Sequence, residues 1–153
     1  MQNNCTNIYK AARLVAGYTQ ERAAEMLGIS VRSIADYETG VRIPPNDVVN
    51  DMVMAYGSQL LGIKHLQQSS QAARNLLPEV QDMRLPEAVL TLIDAIYDFS
   101  DDKMARELID IARDGKIDES ERLRFEKIVE KLNVISAAAM AVRCSREVEG
   151  SYL

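Results

Sequence analysis

The stretch Thr19–Gly40 reads TQERAAEMLGISVRSIADYETG, two short amphipathic runs hinged on one glycine. With Thr19 as an N-cap, Ala23, Ala24 and Leu27 fall on one helical face. The small Ala24 lets a second helix come close. Gly28 supplies a left-handed turn residue and Ile29 plugs the corner. Ser30 caps the second run, whose Ile34 and Tyr37 point inward with Ile29. Val31, Arg32, Ser33 and Asp36 are left on the outside. That outward face is what a recognition helix presents to the major groove, led by its N-terminal residues.

The rest of the chain is helical in pattern as well. Apolar residues recur at three- and four-residue spacing almost throughout, and nothing reads as a strand. The spacing predicts helices at 6–16, 19–27, 30–38, 45–56, 58–77, 86–99, 101–114 and 119–146. Gly28 and Gly40 are stops, Pro44 and Pro45 admit a new helix only from its first turn, and Ser100 is placed to cap the helix that Gly115 ends. Gly57, Gly62 and the run QQSSQ at 67–71 loosen the pattern. A boundary near residue 66 gives an N-terminal domain of five helices, 1–66, and a C-terminal domain of about three, 67–153. The expected fold class is all-α.

With 47% hydrophobic and 27% charged residues over 153 positions, the chain has what a globular core needs. It lacks the run of about 18 apolar residues that a membrane span requires. The start, MQNNCTNIYK, does not read as a signal peptide. Cys5 and Cys144 fit neither a disulfide framework nor a metal spacing, so a reducing cytoplasm is expected.

Charge at first argues against a nucleic-acid partner, because the chain is net −5. Its distribution removes the objection. Residues 1–45 hold five bases and four acids, whereas 46–153 hold 13 bases and 19 acids. Screening confines electrostatics to about 8 Å at physiological salt, so a reader needs a local positive face and not a positive protein. A distant acidic domain mainly weakens nonspecific binding.

Over Thr19–Gly40 the spacing T-Q-E-x-x-A-x-x-L-G-I-S-x-x-S-I-x-x-Y-E-x-G resembles the Cro/CI-type, XRE-type, lambda-repressor-like DNA-binding domain, with the likeness extending over about 6–66. The C-terminal half resembles the helical tails of small regulators on phages and mobile elements of Gram-positive bacteria. The resemblance implies a role for each matching position. Gln20 would donate to a DNA phosphate and buttress the recognition helix. Val31, Arg32 and Asp36 would read bases, with Ser33 on a base or phosphate and Ser30 beside it. Arg32 stands out, because a guanidinium bonds guanine O6 and N7 together, for roughly 1–3 kcal/mol of discrimination. Val31 suits a thymine methyl. Asp36 departs from the polar or basic residue often found there. It accepts from a cytosine amine or selects against wrong sequences. Thr39, Gly40 and Arg42 would hold the DNA backbone beyond the helix. Arg13 and Glu38 match a structural ion pair between the first helix and the recognition helix.

Other constellations are weaker. DIARDGKIDESE at 110–121 has Asp110, Asp114, Gly115, Asp118 and Glu121 near calcium-loop positions, but Ala112 occupies a ligand position. The simpler account is a glycine stop at Gly115 and a capping box of Asp118 with Glu121. The lone histidine, His65, has no zinc partner and is expected at the surface or an edge. No phosphate loop and no nucleophile–base set is legible, so neither cofactor nor enzymatic activity is expected. The helical C-terminal half also lacks the β-rich peptidase of self-cleaving repressors. Along the last helix Phe125, Ile128, Leu132, Ile135, Ala139 and Val142 repeat at heptad spacing. They form either a homodimer seam or an internal seam against the 86–99 and 101–114 helices.

These readings converge on a dimeric, cytoplasmic repressor that joins the nucleoid when bound to double-stranded DNA. An antitoxin or antirepressor using the C-terminal domain to hold a protein partner is the alternative. A helical enzyme or metal sensor on 101–121 is the third.

Overall fold

The computed structural model describes residues 7–101 and 103–145. Every regular element among them is a helix: α1 (Ile8–Val15), α2 (Gln20–Leu27), α3 (Val31–Thr39), α4 (Asn46–Tyr56), α5 (Gln59–Ser69), α6 (Gln71–Leu76), α7 (Leu85–Asp101), α8 (Met104–Ile111) and α9 (Glu119–Cys144). None of these is long and apolar enough to cross a membrane. Cys5 lies outside the described residues.

The chain divides between Leu77 and Pro78 into two compact units. In the first, α2 packs on α3 and α4, while α1 touches α3, α4 and α5. Tyr9, Ala23, Ala24, Ile34, Tyr37, Val49, Met52, Tyr56 and Leu61 form its core, with Leu27 and Ile29 packed at the margin. Ala23 is 0% exposed and Ala24 4%, so the two alanines are what let α3 and α4 close on α2. The predicted boundary at 66/67 falls inside this unit. Residues beyond it fold back on α5, where the Arg74 guanidinium donates to the carbonyls of Gln67 and Gln68 at 2.9 and 3.1 Å.

The second unit is the trio α7, α8 and α9, with α9 packed on both others. Its buried apolar residues are Val80, Ala88, Ile111, Ile128, Ala138 and Ala141.

Three expectations need correction. The helix predicted at 58–77 is two helices, broken at Ser70. Its backbone is extended (φ −132°, ψ 123°) and its hydroxyl accepts from the Ala73 N–H, capping α6. Ser100 does not stand at a helix start, because the apolar spacing carries α7 through it to Asp101. The next helix therefore runs only Met104–Ile111, entered from Lys103 at φ 59°. His65 is not at the surface: it is 2% exposed. The Tyr9 hydroxyl meets its Nδ1 at 2.9 Å and Asn46 Oδ1 meets its Nε2 at 2.8 Å. Both ring nitrogens are thereby satisfied, as burial of a polar ring requires. The Tyr9 hydroxyl can donate to Nδ1 while Nε2–H donates to Asn46, which makes the ring the neutral Nε2–H tautomer.

Candidate nucleic-acid interface

The hinge between α2 and α3 is built as the residues dictate. Thr19 Oγ1 accepts from the Arg22 N–H at 3.2 Å and opens α2. Gly28 closes it in the left-handed region (φ 64°), where a side chain is strained. The Ile29 N–H then returns to the Ala24 carbonyl at 3.1 Å. Ser30 Oγ accepts from the Ser33 N–H at 3.0 Å and starts α3. Gly40 ends α3 at φ 77°.

Three residues clamp α3 from behind. Glu38 is buried and its carboxylate accepts from Arg13 Nε at 2.5 Å and Nη2 at 2.8 Å. Arg13 Nη1 also donates to the Tyr18 carbonyl at 2.6 Å. Gln20 Nε2 donates to the second Glu38 oxygen at 2.9 Å. Burial pushes Glu38 up, but the hydrogen bonds from Arg13 and Gln20 and the nearby charges of Arg13 and Lys10 hold it below the ordinary carboxylate range. The same hydrogen bond raises Arg13. Burial, with the Glu38 charge adding to it, pushes the neighbouring Tyr56 phenol up to about 12. A fourth tie was not foreseen: Asn7 caps α1 and sends its Nδ2 to the Tyr37 carbonyl at 2.9 Å. Its only sequence signal is a capping residue type ahead of an apolar run.

The outer face of α3 carries the predicted readers. Val31 is 39% exposed, and Arg32 is exposed at the helix N-terminus. Ser33 and Asp36 are half-buried, with Ser33 Oγ at 2.9 Å from Ser30 Oγ. The Thr39 hydroxyl donates to the Ala35 carbonyl at 2.7 Å. The Arg42 guanidinium lies over the Tyr37 ring at 5.7 Å, and the Arg42 backbone N–H donates to the Asp36 carbonyl at 3.2 Å. Gln20, Ser30, Val31, Arg32, Ser33, Asp36, Thr39 and Arg42 thus belong to one unit and lie within α2, α3 and their flanking turns.

Charge bookkeeping favours this face. Arg13 is consumed by Glu38, and Arg22 pairs with Glu25 at 2.6 Å. Lys10, Arg32 and Arg42 are exposed and make no ion pair among the described residues. A surface guanidinium at a helix N-terminus is free to bond base edges or phosphates.

The residues singled out on α9 have a mixed fate. Ile128 is 0% exposed and Phe125, Ile135, Ala139 and Val142 are half-buried, while Leu132 is 38% exposed. The 110–121 stretch holds an Asp110–Arg113 pair at 3.2 Å and the reciprocal Asp118–Glu121 capping box of α9.

The helix-turn-helix family model matches residues 10–63, which reach from α1 into α5. No curated protein and no solved structure matches the chain. The glycine hinge, the caps, the clamped second helix and this match agree in one register, and residues 10–63 are a helix-turn-helix domain of the XRE, lambda-repressor-like family, the DNA-binding domain of a transcriptional regulator.

Proposed function

We propose that the protein is a dimeric repressor of phage or mobile-element type, acting in the cytoplasm on a two-fold related operator. Two copies of α3 enter successive major grooves about 34 Å apart, because one short helix reads too few bases. Arg32 reads a guanine from the groove edge, Val31 packs on a thymine methyl, and Ser33 and Asp36 complete the base contacts. Gln20 has one amide hydrogen on Glu38 and a second free for a phosphate. Ser30, Thr39 and Arg42 hold the backbone on either side. Occupancy of the operator competes with RNA polymerase.

The observation that carries this reading is Arg32, an exposed and unpaired guanidinium at the start of a helix that is locked from behind. The test is fluorescence anisotropy with DNA from just upstream of the gene, a scrambled duplex and a salt series. Arg32→Ala is expected to weaken specific binding about 5- to 150-fold, the loss of one bidentate base contact, and to relax sequence preference. Arg42→Ala is expected to weaken both duplexes alike and to lower the salt slope by about one. Equal binding of wild type to both duplexes, indifferent to Arg32, followed by failure of a genome-wide DNA selection, would end the repressor reading.

A further inference from the structure

The second unit holds a cleft of about 220 Å³, wholly apart from the helix-turn-helix. It opens where α9 turns to small side chains, in the run AAAMA at 137–141. Ala137, Ala138 and Ala141 line it, and Ala138 at 4% and Ala141 at 3% exposure form its floor. Met83, from the segment ahead of α7, and Thr91 of α7 stand opposite. Glu79 and Gln81 are exposed and lie at its mouth.

The lining selects its occupant by chemistry. The floor asks for hydrocarbon. The polar groups around it mostly accept hydrogen bonds. The Thr91 hydroxyl gives its proton to the Glu87 carbonyl at 2.9 Å, which leaves its oxygen as an acceptor. Glu79 is the one charged residue among the described residues of the lining, and it makes no ion pair among the described residues. A carboxylate or phosphate would meet repulsion there, with the Gln81 amide as its one side-chain donor. A primary ammonium brings three donors, no acceptor and the opposite charge.

We propose that this cleft binds a small primary ammonium compound, its apolar body on the alanine floor and its charge at Glu79. Size follows from volume. A cavity of about 150 Å³ takes benzene, so the 220 Å³ here takes about nine non-hydrogen atoms in proportion. Phenethylammonium has that size and serves as the probe. A molecule so small, in a cleft open to water, is held with a Kd on the order of 1 mM. The site stands whether or not the repressor reading does.

The full chain, isotope-labelled at its alanine and methionine methyls, is to be titrated by NMR to about 10 mM ligand, roughly ten times that Kd. The ligands are phenethylammonium, its neutral equal phenethyl alcohol, and phenylacetate. The ammonium is expected to move the methyls of Met83, Ala137, Ala138 and Ala141 and to leave Ala23, Ala24 and Met52 of the first unit in place. It should bind about two- to fivefold tighter than the alcohol, the value of one exposed ion pair, and phenylacetate should not bind. Glu79→Gln should remove that advantage and leave the alcohol unchanged. Ala137→Leu should fill the cleft and abolish binding of both; if it misfolds, Glu79→Gln at the surface still decides. No shift at Met83 and Ala138, shifts centred on the first unit, or an alcohol or carboxylate that binds as tightly as the ammonium would overturn the proposal. So would cleft methyls that move with protein concentration and not with the ammonium, which would give the cleft to a second copy of the chain.

Discussion

Glu38 holds the reading helix through a carboxylate that accepts three hydrogen bonds, two from Arg13 and one from Gln20. Glu38→Gln leaves the buried Arg13 charge uncompensated, a loss of about 3–5 kcal/mol for a buried pair broken on one side. Urea unfolding at neutral pH checks it, and a variant within about 0.5 kcal/mol of wild type would show the pair to be idle. The pH dependence follows from the lowered carboxyl. The folded state binds its proton less readily than the unfolded chain. The stabilisation is therefore complete above the unfolded value of about 4.3 and is lost as pH falls through the lower folded value. The gap between wild type and Glu38→Gln should accordingly narrow below about pH 4. His65 acts in the same direction higher on the scale, because burial lowers it. Its contribution is whole above about pH 6.5 and declines as pH falls towards the folded value. Thermal melts of His65→Gln should show a flatter slope between about pH 6.5 and 5 than wild type. The Arg13–Glu38 pair was legible from the family register. The Tyr9–His65–Asn46 chain was not, because it joins residues 56 and 19 positions apart that only the packing of α1, α4 and α5 brings together.

At the level of elements, the hinge is where sequence and geometry coincide most closely. Gly28 is left-handed and a Cβ there would meet nothing within 4 Å. Gly28→Ala therefore tests backbone strain alone, at about 1–2 kcal/mol. Ser30→Ala removes the cap of α3 for about 1 kcal/mol. Denaturant midpoints of the two variants, compared with a Thr19→Ala control at the head of α2, would separate hinge strain from lost caps. A neutral Gly28→Ala would mean that the turn relaxes. Helix pattern, stops and caps were readable wherever a residue has one dominant local use, as at Thr19, Gly28, Ser30, Gly40 and the Asp118–Glu121 box. They misled where tertiary packing chose between two local options. Ser100 has a good capping side chain, yet the unbroken apolar spacing through Phe99 keeps it inside α7. Ser70 sits in a polar run that reads as continuous helix, yet it breaks the chain so that α6 returns to α5.

For the whole molecule, the decisive question is what the acidic unit contributes to a DNA regulator. Residues 1–77 hold seven Lys or Arg against six Asp or Glu, whereas 78–153 hold 11 against 17. The core Tyr9, Ala23, Ala24, Ile34, Tyr37, Val49, Met52, Tyr56 and Leu61 lies wholly within the first unit. A fragment of residues 1–77 is therefore expected to fold alone and melt cooperatively, since every member of that core lies within it. It loses the second unit, and with it the surface to which the dimeric reading assigns the pairing of two copies. It also loses a net −6 from the chain. These two losses act on opposite sides of one ratio. Without pairing, binding to the operator falls, because each half-site is held independently and no longer shares a partner's contacts. Without the acidic unit, binding to scrambled DNA rises, because that binding is mostly electrostatic. Anisotropy of the fragment and the full chain on both duplexes should show specificity lowered from both ends, with the nonspecific gain vanishing at high salt. A fragment that melts cooperatively and keeps the full specificity ratio would assign the second unit to a protein partner and not to the operator.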